Sequence, residues 1–502
     1  MRVIILGGGG FRVPLIAREL TASGLPVREL VLYDTDAGRL TVIAAVLAGA
    51  GLAGTGVAGT GPDSAGGRAA PPVTATRDLD IALRGADLIF SALRVGGLDG
   101  RVRDEREALA LGVLGQETVG AGGLASAART VPVVDAIARR IRELAPDAWV
   151  ISMTNPAGIV TEVMSAVLGP RVIGVCDSPV GLIRRACAAC GVDPGASLGA
   201  VTDRVEADYI GLNHLGWLRG LRVGGVNLFP DLPNAPSLLS QIEEGRLFGP
   251  DVIGALGTLP NEYLYWYYSN AEAVRDVIAA GRTRGEHVRT RQREFYAAAG
   301  ALLENAGADP ETAQAAEAAA RLWREANEER NRSYFAELRT GEKTGERDEA
   351  DVAAGGYESV AIALASALSG GPAARLILNV RNDAGAGGAG PGAGGIVVPG
   401  LSPETVIEVP CRVDVAGAVP LPVSPPSAHE LGLMSVVRGC ERDIAAAALL
   451  AAGNGALAPE GADAGALALR AFATHPLVGS LDAARVLAQA AVPMAFPPGP
   501  IS

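Results

Sequence analysis

One lysine, Lys343, stands among 502 residues, so nearly all of the 43 basic side chains are arginines. They are outnumbered by 55 acids, which gives a formal charge of −12. No basic run interrupts that surplus, and nucleic acid and anionic membrane are therefore poor candidates as partners. Aromatic residues make up only 4%, so the core has to be built from Ala, Val and Leu. Five cysteines (Cys176, Cys187, Cys190, Cys411 and Cys440) are too few to frame a chain of this length with disulfides. Reduced thiols and a cytoplasmic location are the expectation. No apolar run reaches the length of a membrane span, and MRVIIL, broken at once by GGGG, is too short for a secretory signal.

What is present is 49% apolar residues, enough for a large core, in a length that suits two to four folding units or one large enzyme with insertions. RVIIL (2–6) reads as a buried strand, GGGG (7–10) as a turn, and Val13 to about Ser23 as a helix. VRELVLYDTD then reads as a second strand running into Asp34 and Asp36. Strand, glycine turn, helix, strand and acid make a βαβ unit. The alternation continues through a strand ending near Arg94, helices to Leu144, WVISMTNP, a helix to Val167 and RVIGVC. The predicted fold is α/β: a Rossmann-like doubly wound parallel sheet over residues 1–200, followed by an α+β domain over 201–490, in the manner of lactate and malate dehydrogenases. A Gly/Ala-rich stretch, 46–72, carries no periodicity and reads as a mobile surface insertion, and 383–395 reads as a second low-complexity insertion. VAIALASAL reads as a buried helix, while LILNVRN and TVIEVPCRVDV read as strands.

Gly7, Gly8, Gly9 and Gly10 remove the Cβ atoms that would hold a pyrophosphate away from the backbone and the helix N-terminus. Asp34, at the end of the second strand, is placed to bond ribose hydroxyls and would repel the extra phosphate of NADP. A third glycine of the full fingerprint is missing, since Phe11 and Arg12 follow. Cys176 closes an apolar strand and His214 lies in YIGLNHLGW; thiolate and imidazole suit a divalent transition metal, although either one alone is more often core. Asp177, next to Cys176, is a general acid or simply the cap of a helix starting near Val180. Cys187 and Cys190 form a CxxC inside an Ala-rich helix and read as core filling. Tyr263, Tyr265, Tyr267 and Tyr268 crowd NEYLYWYYSN; most must pack, and one near a cofactor can serve as a base.

The motifs GGGG, RVGGLDGRVRDE, GQETVGAGG, TNPAG, CDSP, GLNH, PNEYLYWYY and EVPC occur in this order from residue 1 to about residue 490. In combination they resemble family 4 of the glycoside hydrolases, the NAD- and manganese-dependent phosphoglycosidases, and most closely its 6-phospho-β-glucosidase branch. That resemblance implies NAD-linked oxidation at sugar C3, loss of the C2 proton to a tyrosinate, elimination at C1, addition of water and return of the hydride. Family 4 is an exception to the two-carboxylate scheme of glycoside hydrolysis. The resemblance assigns Cys176 and His214 to the metal, Tyr263 to the base with Tyr265 and Tyr267 behind it, and Asn155 and Asn213 to sugar hydroxyls. It assigns Arg94 to the 6-phosphate, with Arg284 as a weaker second, and Glu117 to the shell of the cofactor or metal. A small phosphorylated glycoside is the implied partner, and a homodimer or tetramer the implied assembly.

Two positions depart from the family pattern. The glycine turn usually continues with Ser, where this chain has Gly10 and Phe11. Members of the β branch usually carry Asn after the cysteine; Asp177 matches the 6-phospho-α-glucosidase branch, where that acid protonates the leaving group. The anomer therefore stays open, with β favoured by the flanking motifs. The rival readings are a lactate/malate-type dehydrogenase, which would need an Arg/His substrate pair, and an NAD-binding sensor without catalysis.

Overall fold

β1 (Arg2–Leu6) is apolar on both faces: Ile4 and Leu6 enter one core and Val3 and Ile5 the other, all fully buried. Such unbroken apolar runs are the mark of a parallel strand covered on both sides. The computed structural model describes residues 1–54, 70–193, 204–307, 311–332, 356–384 and 395–492. The centres of the two predicted insertions (55–69 and 385–394), the predicted boundary at 200 and Lys343 lie outside the described residues.

β1 is joined by β2 (Glu29–Tyr33), β3 (Val73–Thr76), β4 (Leu88–Ser91), β5 (Trp149–Ser152) and β6 (Val172–Val175). They lie parallel in the order β3-β2-β1-β4-β5-β6, the doubly wound dinucleotide-fold order with its switch point between β1 and β4. β4 stops at Ser91, three residues short of the predicted end, because Ala92 to Val95 leave the sheet and turn through Gly96 at φ +80°.

The sheet does not end at β6. It continues antiparallel through β11 (Ala374–Arg381), β12 (Val406–Asp414), β7 (Val205–Leu212), β8 (Leu215–Val223) and β10 (Leu259–Pro260). β9 (Val226–Asn227) and β13 (Gly417–Pro420) pair at its margins, so thirteen described strands form one sheet. β7 and β8 make a hairpin that the sequence reading did not include. They are joined by the tight turn at Asn213 and His214, where His214 sits at φ +62°.

Helices Val13–Ala22, Ala37–Gly49, Ser178–Ala189 and Tyr357–Leu368 contribute to the core on one face. Gly120–Leu144, Ala157–Leu168 and the helices from Ala428 to Ala491 contribute to the core on the other. Two further helices, Arg284–Glu304 and Glu311–Arg332, pack Phe295 and Trp323 against Phe11, Val42 and Val46 beside the glycine turn. No helix among the described residues is long and apolar enough to cross a membrane.

Candidate active site

The glycine turn has little freedom to be anything else. Gly7 stands at φ +87°, and a Cβ there would lie 2.5 Å from the Ala92 carbonyl oxygen. One on Gly8 would lie 2.7 Å from Leu32 Cα. The Gly7 and Gly8 N–H groups both donate to the Tyr33 carbonyl, at 2.9 and 2.7 Å, which folds the turn back over β2. Asp34 braces it: its Oδ2 accepts from Gly9 N at 3.0 Å and its Oδ1 from Asp36 N at 3.1 Å. Tyr296 donates its hydroxyl to the Gly9 carbonyl at 2.7 Å, and the Arg39 guanidinium lies 4.4 Å over the same ring. This cradle of close backbone, followed by a helix N-terminus, fits the phosphates of a dinucleotide.

Gly7 and Gly10 open into a cleft that Arg12, Arg39, Arg94, Arg101, Arg284 and Arg330 line with six guanidinium groups. Glu117 is the acid among the lining residues. Arg94 and Arg101 pair with it at 2.6 and 2.9 Å, and Arg101 also meets Glu105 at 2.7 Å. Burial alone would raise the Glu117 carboxyl, but Arg101 and Arg94 pull it down to about 2. In a chain of net −12, this concentration of positive charge makes an anion site, and guanidinium forks match phosphate geometry. Arg284 is fixed by local structure. Thr283 and Glu286 cap its helix reciprocally, and Gly285 N donates to the buried Glu105 carboxylate at 2.9 Å.

Further along the same wall, Tyr357 carries its hydroxyl 3.8 Å from Cys176 Sγ and 3.5 Å from His214 Nε2. Cys176 comes from the end of β6 and His214 from the β7–β8 turn, so residues far apart in the chain meet at one phenol oxygen. Burial pushes the Cys176 thiol well up, and Glu408, Asp177 and Glu262 add to the effect. Burial lowers His214 to about 3, so its ring is neutral at physiological pH. A neutral imidazole and a thiol ringed by negative groups suit a cation, which would turn the thiol into a thiolate. Among the described residues no group of three or more His, Cys, Asp or Glu is arranged for a metal. Cys176 and His214 are the two donor side chains that meet at the Tyr357 hydroxyl.

The other expected residues fall as follows. Tyr263 lines the cleft and stacks on His214. Asn155 lines it too, with a buried Oδ1 that has no hydrogen-bond partner among the described residues. Asp177 stands at the N-cap position of the 178–189 helix without capping it by its side chain, and its charge reaches Arg12. Asn213 donates Nδ2 to Glu408 at 3.3 Å. Tyr265 and Tyr267 are turned into packing: Tyr265 edges Phe248 and Trp266, and Tyr267 lies against His475. Tyr357 was not foreseen, because nothing in GGYESV distinguishes a site phenol from a helix start. Arg12 was read only as a break in the glycine fingerprint, yet it forms a two-pronged pair with Glu358 at 2.7 and 2.8 Å.

The crevice at the β1/β4 switch point and the arginine-lined cleft beside it define a dinucleotide-type fold with an anion-binding cleft. The model of family 4 glycosyl hydrolases matches residues 2–191, and that of the family's C-terminal domain matches 209–457; the chain belongs to this family. A "Probable 6-phospho-beta-glucosidase" from Bacillus subtilis is 31% identical over 296 residues, 57% of this chain and 62% of the relative. A "6-phospho-alpha-glucosidase 1" from Lacticaseibacillus paracasei is 32% identical over 239 residues, 46% of this chain and 48% of the relative. The chain thus spans less than two thirds of the length of either. The 6-phospho-beta glucosidase of Thermotoga maritima, solved with manganese, NAD+ and glucose-6-phosphate, has the same fold. It matches with a TM-score of 0.72, at 20% identity over 98% of both chains.

Proposed function

We propose that this chain hydrolyses 6-phosphoglucosides, the β anomer first, using NAD and a divalent cation such as Mn²⁺. The observation that carries the reading is the meeting of Cys176 and His214 on the Tyr357 hydroxyl in the wall of an arginine-lined cleft. Gly7 to Gly10, with Asp34 at the ribose end, would hold the dinucleotide; Cys176 and His214 would hold the cation. When bound, these two supply a reversible hydride acceptor and a Lewis acid.

The chain's own side chains do the rest. Arg94 and Arg284 bind the sugar phosphate, and Glu117 keeps Arg94 and Arg101 in place between substrate-free and bound states. Asn155 and Asn213 orient the sugar hydroxyls. Tyr263, held flat against His214, accepts the C2 proton. Asp177 protonates the leaving oxygen. Phosphate binding far from the reacting carbons thus fixes C1 and C2 against their acid and base.

The relatives named above, one a β- and one an α-glucosidase, support the phosphoglucosidase class without choosing the anomer. A second reading, a 6-phospho-α-glucosidase, is favoured by the carboxyl of Asp177 directly after Cys176.

The test is a panel of p-nitrophenyl 6-phospho-α- and β-glucosides and galactosides, assayed with and without NAD, Mn²⁺ and a thiol reductant. Turnover that requires all three, with unphosphorylated glucosides ignored, is the expected result. Hydrolysis that survives chelation and removal of NAD, or net accumulation of NADH on a hydroxy acid, overturns it.

A further inference from the structure

The EVPC strand carries an acid for which the reaction above has no use. Glu408 is fully buried in the middle of β12, opposite Gly211 of β7 and Asn379 of β11. Its three hydrogen-bond donors are uncharged: Asn379 Nδ2 and Asn213 Nδ2 reach Oε1 at 3.0 and 3.3 Å, and the Tyr209 hydroxyl reaches Oε2 at 3.1 Å. A carboxyl taken out of water with only neutral partners is costly, and an apolar side chain of similar volume would serve a sheet core better. Stability does not explain it.

Its partners do. One oxygen holds Asn213, the residue that opens the turn bearing His214. The other is reached by Tyr209, whose hydroxyl accepts from Asn261 Nδ2 at 3.0 Å. Asn261 Oδ1 in turn accepts the backbone N–H of Tyr263 at 3.1 Å. Two branches therefore leave one carboxyl, one ending at Asn213, directly before His214, and the other at the Tyr263 backbone N–H. Asn213 and Asn379 both present Nδ2 to Oε1, so each amide has its NH2 turned towards Glu408 and its carbonyl oxygen turned away.

We propose that Glu408 is a positioning residue that sets the register of the His214 turn and the Tyr263 turn relative to each other; the inference rests on the phosphoglucosidase reading. Glu408→Gln keeps the volume and replaces one acceptor by a donor, while Tyr209→Phe cuts the second branch from its other side. Glu408→Gln is expected to unfold at the wild-type midpoint and Tyr209→Phe somewhat below it, since it strands two buried polar atoms; both are expected to bind NAD with wild-type affinity. Each is expected to lose about tenfold or more in kcat/KM, the usual scale for partners one step behind a site. In the double variant with Asn213→Ala the losses should fall short of their product, because the residues act as one unit.

Wild-type kcat/KM in Glu408→Gln would overturn the proposal. So would losses that follow a lowered unfolding midpoint and multiply in the double variant, since that is the signature of a merely structural role. A wild type that turns over no phosphoglucoside would defeat the functional reading instead. The hub is then read from equilibrium binding of glucose 6-phosphate to the same variants: a tenfold weakening supports it, and unchanged affinity overturns it.

Discussion

His214 lies face to face with Tyr263, the ring centroids 3.7 Å apart and the planes within 8° of parallel. The imidazole comes from a hairpin turn and the phenol from a short helical turn after β10, and each blocks the other from rotating. Tyr263 is 6% exposed and lines the cleft. In the proposed role of base, a ring held in this way needs no rearrangement before it takes a proton.

Tyr263→Phe keeps the stack and deletes only the hydroxyl. It is expected to leave the unfolding midpoint unchanged and to lower kcat by about 10²- to 10⁴-fold, the range for a lost general base. Exchange of the C2 proton with solvent deuterium should stop as well. Normal exchange in this variant would move the base to Tyr357, the other phenol lining the cleft.

The metal pair gives a second expectation. With Cys176 and His214 holding the cation as proposed, a chelator should abolish turnover and added Mn²⁺ should restore it. Cys176→Ala should be inactive with or without metal, while keeping its NAD affinity by fluorescence titration and its thermal midpoint. A Cys176→Ala enzyme that turns over at the wild-type rate would remove this site from the chemistry.

Much of this arrangement is legible in the sequence, for a physical reason. Strands buried on both faces are unbroken apolar runs, so β1, β5 and β6 announce themselves, and the glycine turn after β1 marks the switch point. What escaped has physical reasons too. The β7–β8 hairpin turns on Asn213 and a left-handed His214 rather than on glycine, so no ordinary turn signal separates its strands. The helix expected near Val180 begins at Ser178, because Pro179 is accommodated in its first turn. Tyr357 meets His214 and Glu408 meets Tyr209 more than 140 residues away in sequence, across strands whose pairing no local pattern encodes.

Asp177 is tested through the leaving group. It stands at an N-cap position directly after Cys176, and its charge reaches Arg12. Asp177→Asn should slow substrates with poor leaving groups, such as alkyl 6-phosphoglucosides, far more than p-nitrophenyl ones, whose aglycone departs without a proton. Equal losses across a series of aglycone pKa values would show that Asp177 is not the acid.

The last expectation concerns stability and lies away from the site. His475 ends the 464–474 helix, is 3% exposed, and accepts the Leu477 N–H on Nδ1 at 3.2 Å. Burial lowers it from 6.5 to about 3, so the folded state holds the ring neutral while the unfolded chain takes up a proton below 6.5. For a lowered pKa, the stabilisation is complete above the unfolded value and is lost as pH falls towards the folded one. From pH 7 to pH 5 this one residue should cost about 2 kcal/mol. His475→Asn places an oxygen near the Nδ1 position and cannot titrate. Unfolding free energies measured at both pH values should therefore fall by about 2 kcal/mol more in the wild type than in His475→Asn. Equal falls would mean that water reaches the His475 ring in the folded state.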